Sequence, residues 1–117
     1  MPKKALHDRK KPKTLAAKAF GLANLLDYQR ASIVSREILK KETGTVTLFA
    51  FDKGQGLSEH TAPFDALVYI ADGRARIKIA GRSSVLGKGE MIVMPAHKPH
   101  ALKALRKFKM LLIMIRA

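Results

Sequence analysis

The sequence contains no cysteine, and this absence narrows the chemistry that the protein can perform. Without cysteine, the 117-residue chain can form neither a disulfide nor a thiolate metal site, and it has no cysteine nucleophile. Histidine and carboxylate side chains are therefore the plausible metal ligands. The sequence also lacks a phosphate-binding loop, because Gly54-Gln55-Gly56 is not followed by the required lysine and helix. A Gly-x-Ser-x-Gly nucleophile motif is missing as well.

Long apolar runs are also missing. The longest run, residues 110–115, has the length of a strand, whereas a membrane-spanning helix needs roughly 20 apolar residues. The N-terminus is basic, but no apolar core of a secretory signal follows it. We therefore expect a cytoplasmic protein with no membrane partner.

Acidic residues are few, and the chain is strongly basic. It has 23 lysines and arginines against nine acidic residues, which gives a formal net charge of +14. Residues 1–13 combine many of these charges with two prolines and no hydrophobic periodicity, so we predict a disordered, solvated basic tail. Binding of nucleic acid by this tail is a weaker alternative. A second basic cluster comes near the last predicted strand and comprises Lys103, Arg106, Lys107 and Lys109.

The remaining chain is long enough for one domain with a real core, since 47% of its residues are hydrophobic. A short helix is predicted after Thr14, with Gly21 weakening it in the middle. Its apolar face would comprise Leu15, Ala19, Leu22 and Leu26. Beyond Tyr28 the pattern predicts eight or nine short strands separated by turns, which is typical of an all-β antiparallel sandwich or barrel.

Two hairpins are predicted within this β region. Residues 32–39 and 45–52 would form the first, with Gly44 adopting a positive φ in the turn. Both runs are apolar on both faces, which indicates strands covered on both sides or placed at a subunit contact, so we predict a homodimer. Residues 66–72 and 74–80 would form the second around an Asp-Gly turn.

Two stretches that each begin with a glycine carry three of the four histidines. The first, residues 54–73, places His60 six positions after its opening glycine. The second, residues 89–104, contains Pro95, His97 and His100. In order and spacing, these stretches resemble the two sequence motifs of the cupin superfamily, over about residues 30–117. The resemblance implies a double-stranded β-helix, a jelly-roll barrel of two antiparallel sheets with a pocket between them, formed here by residues 14–117 as one domain.

The resemblance is incomplete at the metal ligands. In metal-binding cupins, three histidines and one glutamate converge inside the barrel. His60 and His100 match two of the histidines, but Ala62 and Ala66 stand where the family has the other histidine and the glutamate. His97 replaces a turn glycine, so we expect it at positive φ with its side chain directed toward solvent.

These departures favour a binding module over a metal enzyme. A pocket with imidazoles and no carboxylate, in a basic protein, would take a small organic ligand, and an anionic one is favoured. We predict His60, His100, Met91 and Met110 as ligand-binding residues. The alternative is a metal-dependent enzyme of the dioxygenase or isomerase type, in which His60, His100 and His97 hold Fe, Mn, Ni or Zn.

Overall fold

The structure, a computed structural model, describes residues 14–116, so the predicted basic tail lies outside the described residues. The described chain contains nine strands and a single 3-10 turn at Leu22–Asn24. The strands are β1 (Ile33–Lys41), β2 (Gly44–Phe51), β3 (Gly56–His60), β4 (Phe64–Asp72), β5 (Arg74–Ile79), β6 (Arg82–Gly87), β7 (Met91–Met94), β8 (His100–Ala104) and β9 (Phe108–Arg116). No helix in this part of the chain is long and apolar enough to cross a membrane.

The strands form two antiparallel sheets, as predicted for a jelly-roll barrel. One sheet has five strands in the order β1-β2-β9-β4-β7, and the other has four in the order β3-β8-β5-β6. Alternate residues of each strand point between the sheets, because successive strand side chains face opposite ways. The largest fully buried side chains include Phe51, Phe108, Ile70 and Ile77.

Strand β5 shows how the sequence pattern selects the two faces of a sheet. Ala75 and Ile77 are fully buried between the sheets, and Ile79 packs against the same core. The three basic residues between and before them, Arg74, Arg76 and Lys78, are exposed. The predicted alternation of a core face and a solvent face is confirmed.

The predicted hairpin around Asp72-Gly73 is wrong, because β4 and β5 belong to different sheets. The Asp-Gly pair instead carries the chain across from one sheet to the other. Gly73 has a φ of +82°, and a Cβ added to it would lie 1.9 Å from the backbone oxygen of Lys107. Both the conformation and the close approach of the neighbouring chain therefore require glycine at this crossing.

The first predicted hairpin is confirmed, since β1 pairs with β2 in antiparallel register. The reason for its glycine differs from the expectation. Gly44 is not among the residues with positive φ; it begins β2, where a Cβ would lie 2.2 Å from the backbone oxygen of Met114. Close approach of β9 requires glycine here, rather than turn geometry.

The predicted N-terminal helix is wrong, apart from the short 3-10 turn. Ala17 has a φ of 58° and Gly21 is extended, so a continuous helix is interrupted twice. We call residues 14–32 the N-terminal strap. Contacts with the barrel, rather than helical periodicity, determine its course.

The strap is anchored over the outer face of the five-stranded sheet by a cluster around Tyr28. The Tyr28 hydroxyl donates a hydrogen bond of 2.6 Å to Asp72, and the amino groups of Lys107 and Lys109 lie 4.9 and 4.8 Å from the centre of its ring. Burial raises the pKa of the Tyr28 phenol above its usual range, and the hydrogen bond to Asp72 raises it further. The phenol therefore remains a neutral donor. The Lys109 amino group also donates to the Ala23 carbonyl.

Candidate functional site

The two sheets enclose a cavity of about 70 Å³ at one end of the barrel. Its walls are formed by side chains from both sheets and from the segment between β3 and β4. The lining residues are Leu57, His60, Ala62, Phe64, Ala66, Met94, His100, Leu102, Met110, Leu112 and Met114. Apart from the two histidines these side chains are apolar, so polar recognition in this cavity depends on the imidazoles.

His60 and His100 are brought together by the pairing of β3 with β8. They occupy opposite positions in the register, one at the end of β3 and the other at the start of β8. Their Nε2 atoms lie 3.1 Å apart and their rings meet edge to face at 70°. The side chain of His100 is buried, whereas that of His60 is exposed. The pair therefore connects the cavity with solvent.

The hydrogen-bond partners of the two rings determine where their hydrogens lie. His60 Nδ1 is 2.7 Å from the Ser58 carbonyl oxygen, and His100 Nδ1 is 3.1 Å from the Lys98 carbonyl oxygen. Because a carbonyl oxygen only accepts, each Nδ1 carries a hydrogen. A hydrogen bond between the two Nε2 atoms then requires a third hydrogen. Two neutral imidazoles have only two such hydrogens, so the complete network carries one positive charge.

Ala62 and Ala66 both line this cavity, at the positions where metal-binding cupins place a histidine and a glutamate. Ala66 lies opposite Met94 on β7 and opposite Met114 on β9. The space near the two histidines is thus walled by methyl and thioether groups. The described residues that line the cavity include no carboxylate.

His97 does not join the pair. It has a φ of 65° and an exposed side chain, as predicted, and it does not line the cavity. Its backbone N–H donates to the Ala62 carbonyl, while the neighbouring Ala96 N–H donates to the Asp65 carboxylate at 2.9 Å. These bonds fix the loop between β7 and β8, so His97 serves no role at the cavity wall.

The donor set does not fit the predicted divalent metals. Among residues 14–116, no group of three or more histidine, aspartate or glutamate side chains could hold a metal ion. His60 and His100 are two neutral ligands, whereas Zn and non-haem Fe sites generally use three or more protein ligands, often with a carboxylate. The methionine thioethers of the cavity wall are soft donors that suit Cu(I) rather than Fe, Mn, Ni or Zn. The predicted third ligand, His97, is exposed and does not line the cavity, so it does not complete a metal site with His60 and His100.

The predicted methionines divide between the two faces of the barrel. Met110 lines the cavity, but Met91 is 57% exposed and lies on the outer face, opposite Tyr69. Met94 and Met114, which were not selected as ligand-binding residues, also line the cavity. Strand parity contains the missing signal, because Met114 shares a strand face with Met110, and Met94 lies three residues from Met91 on the opposite face.

Comparison with known proteins agrees with this architecture. The family model of the cupin domain matches residues 47–116. A conserved protein of unknown function from Streptococcus pyogenes is 33% identical, with a TM-score of 0.85 and coverage of 93% of this chain and 96% of that one. A cupin superfamily protein from Desulfitobacterium hafniense is 26% identical, with a TM-score of 0.84 and coverage of 93% and 100%.

A third solved structure is more similar in sequence but belongs to a longer chain. It is a cupin 2 conserved barrel domain protein from Leptotrichia buccalis, 40% identical, with a TM-score of 0.80. The match covers 83% of this chain and 47% of that one. No curated protein matches the sequence.

Proposed function

The chain belongs to the cupin family, and on that premise we propose that it is a binding module for a small organic anion. The ligand would place a short apolar group in the cavity and an anionic group, such as a carboxylate, against His60 and His100. The observation that carries the proposal is the hydrogen-bond network of the histidine pair.

Charge supports an anionic ligand. The pair carries one positive charge when its network is complete, and the cavity supplies no carboxylate to balance it. A ligand carboxylate can accept the Nε2–H hydrogen in place of the other imidazole, so that it replaces the bond between the two rings. Hydrogen bonds to charged groups contribute roughly 1.5–3 kcal/mol. The ligand would then supply a negative charge beside the histidines, where Ala62 and Ala66 provide none.

Size restricts the ligand further. Ordinary small-molecule pockets have volumes of roughly 300–1,000 Å³, and an engineered cavity of about 150 Å³ accommodates benzene. The cavity here, at about 70 Å³, is smaller than either. Its walls are almost entirely apolar, so a short alkyl group fits them better than a sugar ring. A larger ligand would extend past the exposed His60 into solvent.

A metal-dependent dioxygenase or isomerase is not supported by this site. That reaction would need a third protein ligand near the histidine pair, and the described residues provide none. The site therefore supports binding rather than metal-dependent catalysis.

A thermal-shift screen of short-chain carboxylates tests the proposal. Members with two to five carbons should raise the melting temperature of the full-length protein, because a ligand that binds the native state stabilises it by mass action. His100→Ala should abolish the shift, while His97→Ala, on the outside of the same barrel end, should retain it. A shift that survives His100→Ala would refute the assignment of the site.

We also propose that a second copy of the chain covers part of the outer face of the five-stranded sheet. Four large apolar residues, each more than half exposed, point outward there; they are Leu39 (58%), Met91 (57%), Val93 (52%) and Ile115 (60%). An apolar patch on an exposed sheet favours association. A twofold contact between identical sheets would cover this face in both copies.

A further inference from the structure

The outer face of the four-stranded sheet carries a row of basic side chains. Arg74, Arg76 and Lys78 alternate along β5 and are all exposed. Lys103 of β8 is also exposed and lies directly opposite Arg76. We call these four residues the basic face. Given strand spacings of about 4.8 Å and a rise of about 3.4 Å per residue, they occupy a patch roughly 14 Å long and two strands wide.

The four side chains of the basic face form no ion pair within residues 14–116. Strands β5, β6 and β8 contain no acidic residue, and the acidic residue of the fourth strand, Glu59 on β3, is exposed. Like charges placed directly opposite on neighbouring strands destabilise a sheet. The pairing of Arg76 with Lys103 is therefore unfavourable for folding and would become favourable with an anion bound across both.

The fold also separates the basic cluster seen near the end of the sequence. Lys107 and Lys109 lie beside the Tyr28 ring on the other sheet and belong to the strap contact. Lys103 instead faces outward with the arginines of β5, and Arg106 N–H donates to the Arg74 carbonyl at the end of the row. A cluster that is continuous in sequence thus has two structural roles.

We propose that the basic face binds duplex nucleic acid through its phosphate backbone without reading its sequence. Lysine and arginine side chains on an exposed sheet suit phosphate contacts, which position a protein on nucleic acid but carry no sequence information. The strands of the basic face contain no aromatic residue on which unpaired bases could stack, so a duplex fits better than a single strand.

An anionic membrane surface fits this face less well. Peripheral binding to lipid usually combines basic residues with apolar or aromatic side chains that enter the interface. Among the described residues, the exposed large apolar side chain on this face is that of Val85, which lies opposite Arg76 on β6 and is 49% exposed. A single valine is a weak anchor in a lipid interface. The chemistry therefore favours phosphates of a rigid polyanion over a lipid layer.

The test measures binding of two unrelated 20-base-pair duplexes by fluorescence anisotropy at increasing salt. The full-length protein should bind both about equally, with affinity falling steeply as salt rises, since each phosphate contact contributes about 0.9 to the log-log slope. Replacing Arg76, Lys78 and Lys103 together with Gln should weaken binding at low salt by about tenfold or more and reduce the slope by roughly two to three.

Two control variants separate the basic face from net charge and from the N-terminal tail. Lys18→Gln, Lys40→Gln and Lys41→Gln together change the charge equally at exposed positions away from this face, and should retain most of the binding. Lys3→Gln, Lys4→Gln and Lys10→Gln together test the tail. Equal losses in the first control, or full loss in the second, would overturn the proposal. Binding to vesicles containing phosphatidylserine, without binding to either duplex, would also overturn it.

Discussion

His97 has an unfavourable backbone conformation and no contact with the cavity. Its φ of 65° lies in the left-handed region, which costs a residue with a Cβ roughly 1–2 kcal/mol. The exposed imidazole lines no cavity wall that would offset this cost. The glycine found at this position in cupins is therefore the residue that the backbone favours.

We expect His97→Gly to stabilise the protein by about 0.5–1 kcal/mol, because relief of the left-handed strain exceeds the extra entropy of glycine in the unfolded chain. Lys98→Gly is the matched control, since Lys98 is also exposed but is not among the residues with positive φ, and it should lower stability. Urea unfolding of the three proteins gives the comparison. If both glycine variants are destabilised alike, the loop conformation is wrong.

Asp52 links the strap to the barrel through its carboxylate. It accepts hydrogen bonds from the backbone N–H groups of Ala31, at 2.6 Å, and Lys53, at 2.9 Å. These hydrogen bonds hold the pKa of the Asp52 carboxyl below its ordinary value of 3.8. The bond from Ala31 has the larger effect and the bond from Lys53 the next largest. Since the folded pKa is lowered, the ionised group stabilises the fold above pH 3.8, and this contribution is lost as the pH falls through the folded pKa.

Asp52→Asn should therefore be less stable than the natural protein at pH 7, and the difference should shrink as the pH falls below about 4. Melting temperatures of both proteins between pH 7 and pH 2.5 provide the measurement. A difference that stays constant over this range would mean that the carboxylate charge does not anchor the strap.

At the scale of elements, the connection between β3 and β4 and the start of β4 supply the positions at which metal-binding cupins complete their site. Ala62 and Ala66 line the cavity together with His60 and His100. Replacing both alanines, Ala62→His and Ala66→Glu, should create a site that binds Ni²⁺ or Mn²⁺ at about one equivalent per chain, because three imidazoles and a carboxylate then converge. The added volume should cost about 1–3 kcal/mol of stability.

Titration calorimetry with each metal measures this gain. The paired control, Thr61→His, places a third imidazole near the existing carboxylate of Asp65 at exposed positions and should bind neither metal tightly. Equal affinity in the two variants would show that the cavity does not gather positions 62 and 66 around the histidines.

Strand alternation and motif spacing predicted most of the elements but not how they are paired. Arg74 to Ile79 alternate so regularly that the faces of β5 follow from the sequence alone. The Asp72-Gly73 turn was placed correctly but assigned to a hairpin, because a local signal does not reveal to which sheet the next strand belongs. The strap was mistaken for a helix, because contacts of Tyr28 and Lys109 over a long sequence separation override local periodicity.

The sequence also predicted part of the candidate site. His60 and His100 are brought together as their motif positions implied, and Met110 lines the cavity beside them. Met91 was misplaced because all four residues of β7 are apolar, so their pattern does not show which face points between the sheets. The sharing of hydrogens between the two rings depends on the Ser58 and Lys98 carbonyls, and no sequence pattern identifies those acceptors.

At the scale of the whole molecule, the two sheets present outer faces of opposite character. The five-stranded sheet carries four of the five large apolar residues that are exposed, and the four-stranded sheet carries the basic face and Val85. A dimer formed through the first would leave both basic faces directed outward. The proposed association and the proposed nucleic-acid contact are therefore compatible in one assembly.

We expect light scattering to give a mass of about twice the 12.9 kDa of one chain. Val93→Lys with Ile115→Lys should shift the protein to a monomer, because each charge would be buried in the contact without a partner. Val85→Lys, 49% exposed on the other sheet, is the control and should remain dimeric. A natural protein that is already monomeric at micromolar concentration would exclude this interface.

Recognition of an anion by the histidine pair is the central claim, and calorimetry with a matched acid and amide tests it most directly. The best short carboxylate from the thermal-shift screen and its carboxamide have nearly the same shape but differ in charge. The carboxylate should bind at least about tenfold more tightly, in keeping with the strength of a charged hydrogen bond, and His100→Ala should remove the difference. Equal affinities for acid and amide in the natural protein would contradict the account.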